Sequence, residues 1–490
     1  MSFKSLGLPI LISGLSTLLL PTGAEAAETI YAAIGPAELT LTVDSIETFV
    51  EEGKLTGKLK RLSRFLDEET LAQIRTLLGQ PIEISAATAA RLTYTAIGEE
   101  SLTRLGTIIQ TEARQNGLYA MRAAIILAAN SPEGLTLLSM LQYFPTDGIR
   151  IDMDATFALV RDFFALSRDG EAALEAIAYQ SEQEISAAEV SDFAQRPNLQ
   201  QQGPYAVEKQ LLTLRDSTRA SLGNPDVRQF SADLYLPQLS QAVPLVVISH
   251  GLGAQRSGFA VLAEHIASYG FAVAVPEHVG SNTEAINQMV AGNYFGPTNA
   301  SEFIDRPQDI TFLLDQLERH NTAALAGRLL LDQVGIIGHS LGGYTALVLA
   351  TGEINHAKLD EICADQSPTL NLSLILQCQA TELPQPTADL QDPRIAAVMA
   401  LNPIPSALLG QESLSQVDVP VMMVQASQDI LAPMLQEQLF PFNWLTAPQK
   451  YLVTLAPAGH GSANQSEPLE ENLANSLLTG PNTTLGSAYT

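Results

Sequence analysis

The stretch Val334-Gly335-Ile336-Ile337-Gly338-His339-Ser340-Leu341-Gly342-Gly343-Tyr344 constrains this chain more than any other. An apolar run (Val334, Ile336, Ile337) meets Gly338-His339-Ser340-Leu341-Gly342, and a helix-like stretch, 344–350, follows. This is G-x-S-x-G in a strand–turn–helix setting. So sharp a turn puts Ser340 in a strained conformation. Gly338 and Gly342 lack β-carbons, so strand and helix can approach closely enough to make it. The hydroxyl of Ser340 is then expected to stand clear of a sheet as a nucleophile, with the amide of Leu341 pointing where an oxyanion forms. A chance Gly-rich turn is the competing explanation, and the order of residues downstream argues against it.

The flanking sequence supplies a sheet for that turn. Segments 205–214 and 230–236 alternate apolar and polar residues, as half-buried strands do. Residues 244–249 form a largely apolar strand ending in His250-Gly251-Leu252-Gly253. A helix over 258–269 leads through Gly270 to a buried strand, 271–275. A helix over 307–320 and strands over 333–337, 396–401, 419–425 and 449–455 follow. Buried strands alternating with helices predict an α/β fold, a mostly parallel sheet covered on both faces.

Upstream, residues 27–150 read as an all-helical domain. Thr42-Val43-Asp44-Ser45 offers a cap for a helix through Ile46, Phe49 and Val50. Asp67 precedes Leu71, Ile74, Leu77 and Leu78 on one face, and Leu102, Leu105, Ile108 and Ile109 repeat the pattern. Ser131-Pro132-Glu133 reads as a further helix start. Arg75, Arg104, Arg114 and Arg122 are expected on solvated faces. Residues 151–202 continue as a helical connector (Phe157, Val160, Phe163, Phe164) ending in a polar bridge over 195–203. The sheet domain spans 203–470, and 471–490 is a C-terminal tail.

Residues 1–26 read as a signal peptide: Lys4 makes a positive start, 6–20 is apolar, and Ala24-Glu25-Ala26 fits a cleavage site. The expectation is an exported protein, periplasmic or extracellular, with a thylakoid lumen as a further option and no stable membrane span after cleavage. An uncleaved anchor is the alternative. The formal net charge is −27 and the pI about 4.5. Such acidity repels phosphate backbones and anionic membranes, so no nucleic-acid partner is expected. The two cysteines, Cys363 and Cys378, allow one disulfide in an oxidising compartment, against two unpaired thiols. They and the scattered histidines make no metal-site pattern.

Acyl transfer needs a nucleophile, a base, a group orienting the base, and oxyanion donors. Two histidines lie downstream of Ser340. His460, in Ala458-Gly459-His460-Gly461 after the last strand, suits the base; His356 falls in the cysteine-bearing insertion. His339 points away from Ser340 in such a turn. Asp429 follows the strand over 419–425 and suits the orienting acid. Asn402, after the preceding strand, holds the other usual place, and Asp418 lies at the wrong end of the sheet. The second oxyanion donor is expected from the amide of Leu252, beside that of Leu341.

Residues 205–465 resemble the α/β-hydrolase superfamily, and within it the platelet-activating-factor acetylhydrolase and predicted dienelactone hydrolase group. The likeness is carried by Ser249-His250-Gly251-Leu252-Gly253, Pro276-Glu277-His278, Arg306-Pro307-Gln308-Asp309-Ile310 and Gly338-His339-Ser340-Leu341-Gly342-Gly343. Residues 28–150, notably Ile108-Ile109-Gln110-Thr111-Glu112-Ala113-Arg114-Gln115-Asn116-Gly117, resemble a helical domain of unknown function that precedes such hydrolases in photosynthetic bacteria. The resemblance implies an α/β-hydrolase fold behind a small all-helical domain, and a serine ester hydrolase acting on a small-molecule or lipid ester without metal or organic cofactor. In the acetylhydrolase the acid follows the earlier strand, where this chain has Asn402; that departure favours Asp429. Met289, Tyr294 and Phe295 are expected either to roof an acyl pocket or to pack as ordinary loop residues. Two alternatives remain: a scaffold acting through the N-terminal domain, and a peptidase or thioesterase with the same three side chains.

Overall fold

The computed structural model describes residues 27–65, 67–82, 84–187, 198–219, 227–291 and 300–463. The expected leader over 1–26, the tail over 471–490, Tyr294 and Phe295 lie outside them.

The N-terminal segment is not all-helical. Strands β1 (Thr29–Ile34), β2 (Ala37–Thr42), β3 (Ile109–Thr111) and β4 (Gly148–Asp152) form a sheet ordered β2-β1-β4-β3 among the described residues. The signal was present: Ile30 and Ala32, then Leu39 and Leu41, alternate about Gly35-Pro36, a hairpin pattern. Helix caps close by mask it. Thr42 ends β2 and also caps the helix Val43–Glu52, accepting from the Ser45 amide. Asp67 caps Glu68–Gly79 as expected. Ser131-Pro132-Glu133 makes a turn instead of a helix start; the helix begins at Leu137, capped by Thr136. Ile30, Val43, Ile46, Leu102, Met121, Phe144 and Ile149 share one small core. β4 runs through Asp152, two residues past the expected boundary at 150, and the connector opens with one long helix, Met153–Ala187.

Two arginines expected on a solvated face are buried. Arg122 lies over the ring of Tyr94 and pairs with Glu99. Arg104, 3% exposed, donates to the backbone carbonyls of Asp365 and Ser367, tying the N-terminal domain to the cysteine-bearing insertion.

The second domain is an eight-stranded sheet among the described residues: β5 (Val207–Asp216), β6 (Arg228–Pro237), β7 (Val243–Ser249), β8 (Ala272–Pro276), β9 (Leu329–His339), β10 (Ile395–Leu401), β11 (Val421–Ala426) and β12 (Lys450–Leu455). Their order is β12-β11-β10-β9-β7-β8-β6-β5. β6 runs antiparallel to β5 and to β8; the remaining pairs are parallel. The unbroken apolar character of the central strands follows from burial on both faces. Val247, Ile336, Ala400 and Met423 enter the core on one face, and Ile248, Ile337, Leu401 and Val424 that on the other. Parallel strands bring their C-terminal ends to one edge of the sheet, where open α/β sheets hold ligands.

Cys363 and Cys378 form a disulfide across a sequence separation of 15 within the insertion. Cross-linking a loop of this length limits the unfolded chain, an effect of about 3 kcal/mol. The double substitution C363S/C378S is therefore expected to lower the unfolding free energy by about that amount, read as an earlier midpoint in urea.

Candidate active site

The turn after β9 has the geometry its glycines require. Ser340 sits at φ 56° and ψ −118°, a region side chains rarely adopt. A β-carbon on Gly338 would lie 1.9 Å from the Gly342 carbonyl oxygen, and one on Gly342 would lie 2.2 Å from the Ser249 carbonyl oxygen. Neither position tolerates a side chain without moving the strand away from the helix. The Ser340 amide donates to the Leu401 carbonyl on β10 at 2.8 Å, and the helix Leu341–Thr351, buried along its length, carries the turn forward.

Three side chains from three strand ends meet there. The Ser340 hydroxyl lies 2.9 Å from His460 Nε2, and His460 Nδ1 lies 2.6 Å from Asp429 Oδ2. Asp429 follows β11. Its other oxygen accepts from the amides of Leu431 at 3.0 Å and Ala432 at 2.8 Å, which fixes the carboxylate. His460 follows β12 at the head of a short 3-10 turn. In such a chain the imidazole can take the hydroxyl proton while the carboxylate holds its tautomer and balances its charge. His356 heads another helix, His356–Cys363, and its ring nitrogens have no partner among the described residues.

Two residues set aside as base or acid act on the backbone of His460. His339 Nε2 and the Asn402 amide both donate to the His460 carbonyl, each at 2.9 Å. That contact spans 121 residues for one and 58 for the other, so no local pattern announces it. Burial, and then the neighbouring His460, push the His339 imidazole down to about 3, so it stays neutral.

On the opposite side, the loop after β7 abuts the serine: a β-carbon on Gly251 would lie 3.3 Å from Ser340 Cβ. The amides of Leu252 and Leu341 have no hydrogen-bond acceptor among the described residues. Free donors beside a nucleophile are what an oxyanion requires. Beneath this loop lies a buried charge cluster. Arg228 of β6 grips Asp309 at 2.6 and 2.7 Å, and His278 bridges Asp309 to Ser249. Burial opposes the Asp309 charge, but Arg228 and His278 together outweigh it and hold the carboxyl well below the usual range. Burial, reinforced by Arg306, pushes His278 down to about 4. Among the described residues no group of three or more metal-ligating side chains could hold an ion, and no helix is long and apolar enough to cross a membrane.

Sequence comparison agrees with this architecture. Residues 26–152 match the family model described as an alpha/beta hydrolase of unknown function (DUF1400), and residues 209–293 match that of platelet-activating factor acetylhydrolase, isoform II. The chain has the α/β-hydrolase fold. The first match covers the small sheet-and-helix domain, and the second runs from β5 past the loop that holds Leu252. Neither reaches Ser340, Asp429 or His460, so the roles of those residues rest on geometry alone. No curated protein matches the chain in sequence.

The depressed His339 has a consequence for stability. The group titrates near 6.5 when unfolded and near 3 when folded, so its contribution is present above pH 6.5 and is lost as pH falls toward 3. Between pH 7 and 5 this residue alone removes about 2 kcal/mol. The variant H339Q, which keeps a donor for the His460 carbonyl, is expected to show a pH dependence of unfolding shallower by that amount over the interval, measured by urea titration at both pH values.

Proposed function

We propose that this hydrolase is an exported serine esterase that cleaves carboxylic esters of lipids or small acyl groups through a covalent acyl-enzyme. The observation that carries the reading is the continuous hydrogen-bonded chain Ser340–His460–Asp429 beside two free backbone amides. Ser340 Oγ attacks the ester carbonyl as His460 Nε2 accepts its proton. The tetrahedral oxyanion is held by the Leu252 and Leu341 amides. His460 then returns the proton to the leaving alcohol, and the ester C–O bond breaks. Water, deprotonated by His460, releases the acid and restores Ser340. Asp429 is the acid of this scheme and Asn402 is not, because Asp429 meets His460 Nδ1 whereas the Asn402 side chain meets the His460 carbonyl. A Cys363–Cys378 disulfide and the leader-like composition of residues 4–26 support export.

Activity is read with p-nitrophenyl esters of graded chain length. S340A is expected to lower kcat by roughly 10⁴- to 10⁶-fold, and full activity in that variant ends the mechanism. D429N is expected to lose about 10⁴-fold in kcat, and N402A far less. A fluorophosphonate probe should label the wild-type chain and spare S340A. A folded chain that takes no label would point instead to a scaffold built on the N-terminal domain. The same panel extended to p-nitrothiophenyl esters and peptide anilides separates esterase from thioesterase and peptidase.

A further inference from the structure

We propose that Arg306 is a positioning residue for oxyanion stabilisation: it holds the Gly251–Leu252 peptide unit in the orientation that aims the Leu252 amide at the reacting carbonyl. The proposal rests on the serine-hydrolase reading above. Arg306 sits in the helix Glu302–Ala323 and is 0% exposed. Its guanidinium donates to the His250 carbonyl at 2.6 Å, to the Gly251 carbonyl at 3.3 Å and to the Ser281 hydroxyl at 2.8 Å.

The Gly251 carbonyl and the Leu252 N–H belong to one planar trans peptide unit, so they point in opposite directions. A donor fixed on that carbonyl therefore fixes the opposed N–H. Three donors do so: Arg306, the Ala254 amide at 3.3 Å from within the loop itself, and His250 through Nδ1 at 2.8 Å, its Nε2 accepting from the His278 amide at 3.0 Å. Restraint is needed here because Gly251 and Gly253 flank Leu252, and Gly253 already adopts φ 73°. Glycine imposes little resistance to rotation of a peptide plane. In the rotated state a carbonyl oxygen would face the developing oxyanion and repel it. Ser281 anchors the far end of the same loop, its carbonyl accepting from the Gly253 amide at 2.8 Å.

An ion-pair role alone does not account for Arg306. Its contact with Glu302 is 3.7 Å, longer than its contacts with the neutral loop oxygens of His250, Gly251 and Ser281. Three acceptors in different directions suit the planar fork of a guanidinium and not the point charge of a lysine.

The test uses the mature chain, p-nitrophenyl acetate and phenylboronic acid, which adds to a nucleophilic serine to give a tetrahedral adduct. R306M, folded by a cooperative thermal melt, is expected to lose roughly 10²- to 10³-fold in kcat, the usual consequence of losing one oxyanion donor, with KM within about threefold. Its boronate inhibition constant should rise in parallel with the loss in kcat/KM. R306K keeps the buried cation and guards against a folding failure in R306M; it should lose about tenfold or more in kcat, with the same parallel rise. Wild-type kcat in either folded variant overturns the proposal. So does a loss of kcat with boronate affinity unchanged, because a defect elsewhere in the fold would not track the tetrahedral state. Failure of the underlying mechanism shows earlier: a wild-type chain without esterase activity or fluorophosphonate labelling removes both readings before any Arg306 variant is made.

Discussion

The close approach of the strand and helix at Gly338 and Gly342 governs the arrangement of everything around it. Ser340 keeps its strained backbone only because both sides of the turn are pinned. β9 is hydrogen-bonded to β7 and β10, and the following helix is buried along its whole length. The absence of two β-carbons lets the Gly342 backbone lie against the Ser249 carbonyl at the end of β7. The same contact brings the loop after β7 beside the serine, so one steric fact places both Ser340 and the loop that carries Leu252. A strained site survives only when its surroundings over-determine it, and here the surroundings are the centre of the larger core.

The remaining parts reach the site by a consequence of parallel pairing. β9, β11 and β12 run the same way, so the residues that follow them emerge at one edge: Ser340, Asp429 and His460. This explains how groups 31 and 120 residues apart come within 2.6 and 2.9 Å. It also explains why Asp429 and Asn402 differ in what they touch. Both follow sheet strands, but the Asn402 amide supports the His460 main chain, together with His339, while Asp429 meets the imidazole. The catalytic roles assigned to these groups are proposals; their convergence is structural.

How much of this was legible follows from the range over which each signal acts. The strands of the large sheet, the turn at Ser340 and the positions of Asp429 and His460 are written in runs of a few residues, where periodicity and glycine placement act locally. The N-terminal sheet was hidden because its strands are short and β2 shares Thr42 with a strong helix cap. Its pairing of β1 with β4 joins residues more than a hundred positions apart. The burial of Arg104 and Arg122 is not legible locally, because the sequence around an arginine says little about what will cover it. Arg104 is covered by carbonyls of Asp365 and Ser367, from the far domain. The contact of His339 and Asn402 with the His460 carbonyl exists only in the folded chain, so nothing near either residue announces it.

The charge cluster under the loop after β7 raises the question of why so costly an arrangement lies in a core that apolar residues could fill. A buried ion pair is often no more stabilising than well-packed hydrophobic side chains. Arg228, Asp309, Glu302 and Arg306 are all enclosed, and Ser281, His278, Ser249 and His250 are tied to them by hydrogen bonds. Apolar packing in place of Arg306 would leave the His250 carbonyl without its donor and take one donor from the Gly251 carbonyl, and a loop rich in glycine would be freer to turn them. A fully connected polar network does what packing cannot: it specifies direction, carbonyl by carbonyl. On the proposal made for Arg306, its members have a use that stability alone does not supply, namely a rigid footing for the Leu252 amide beside Ser340.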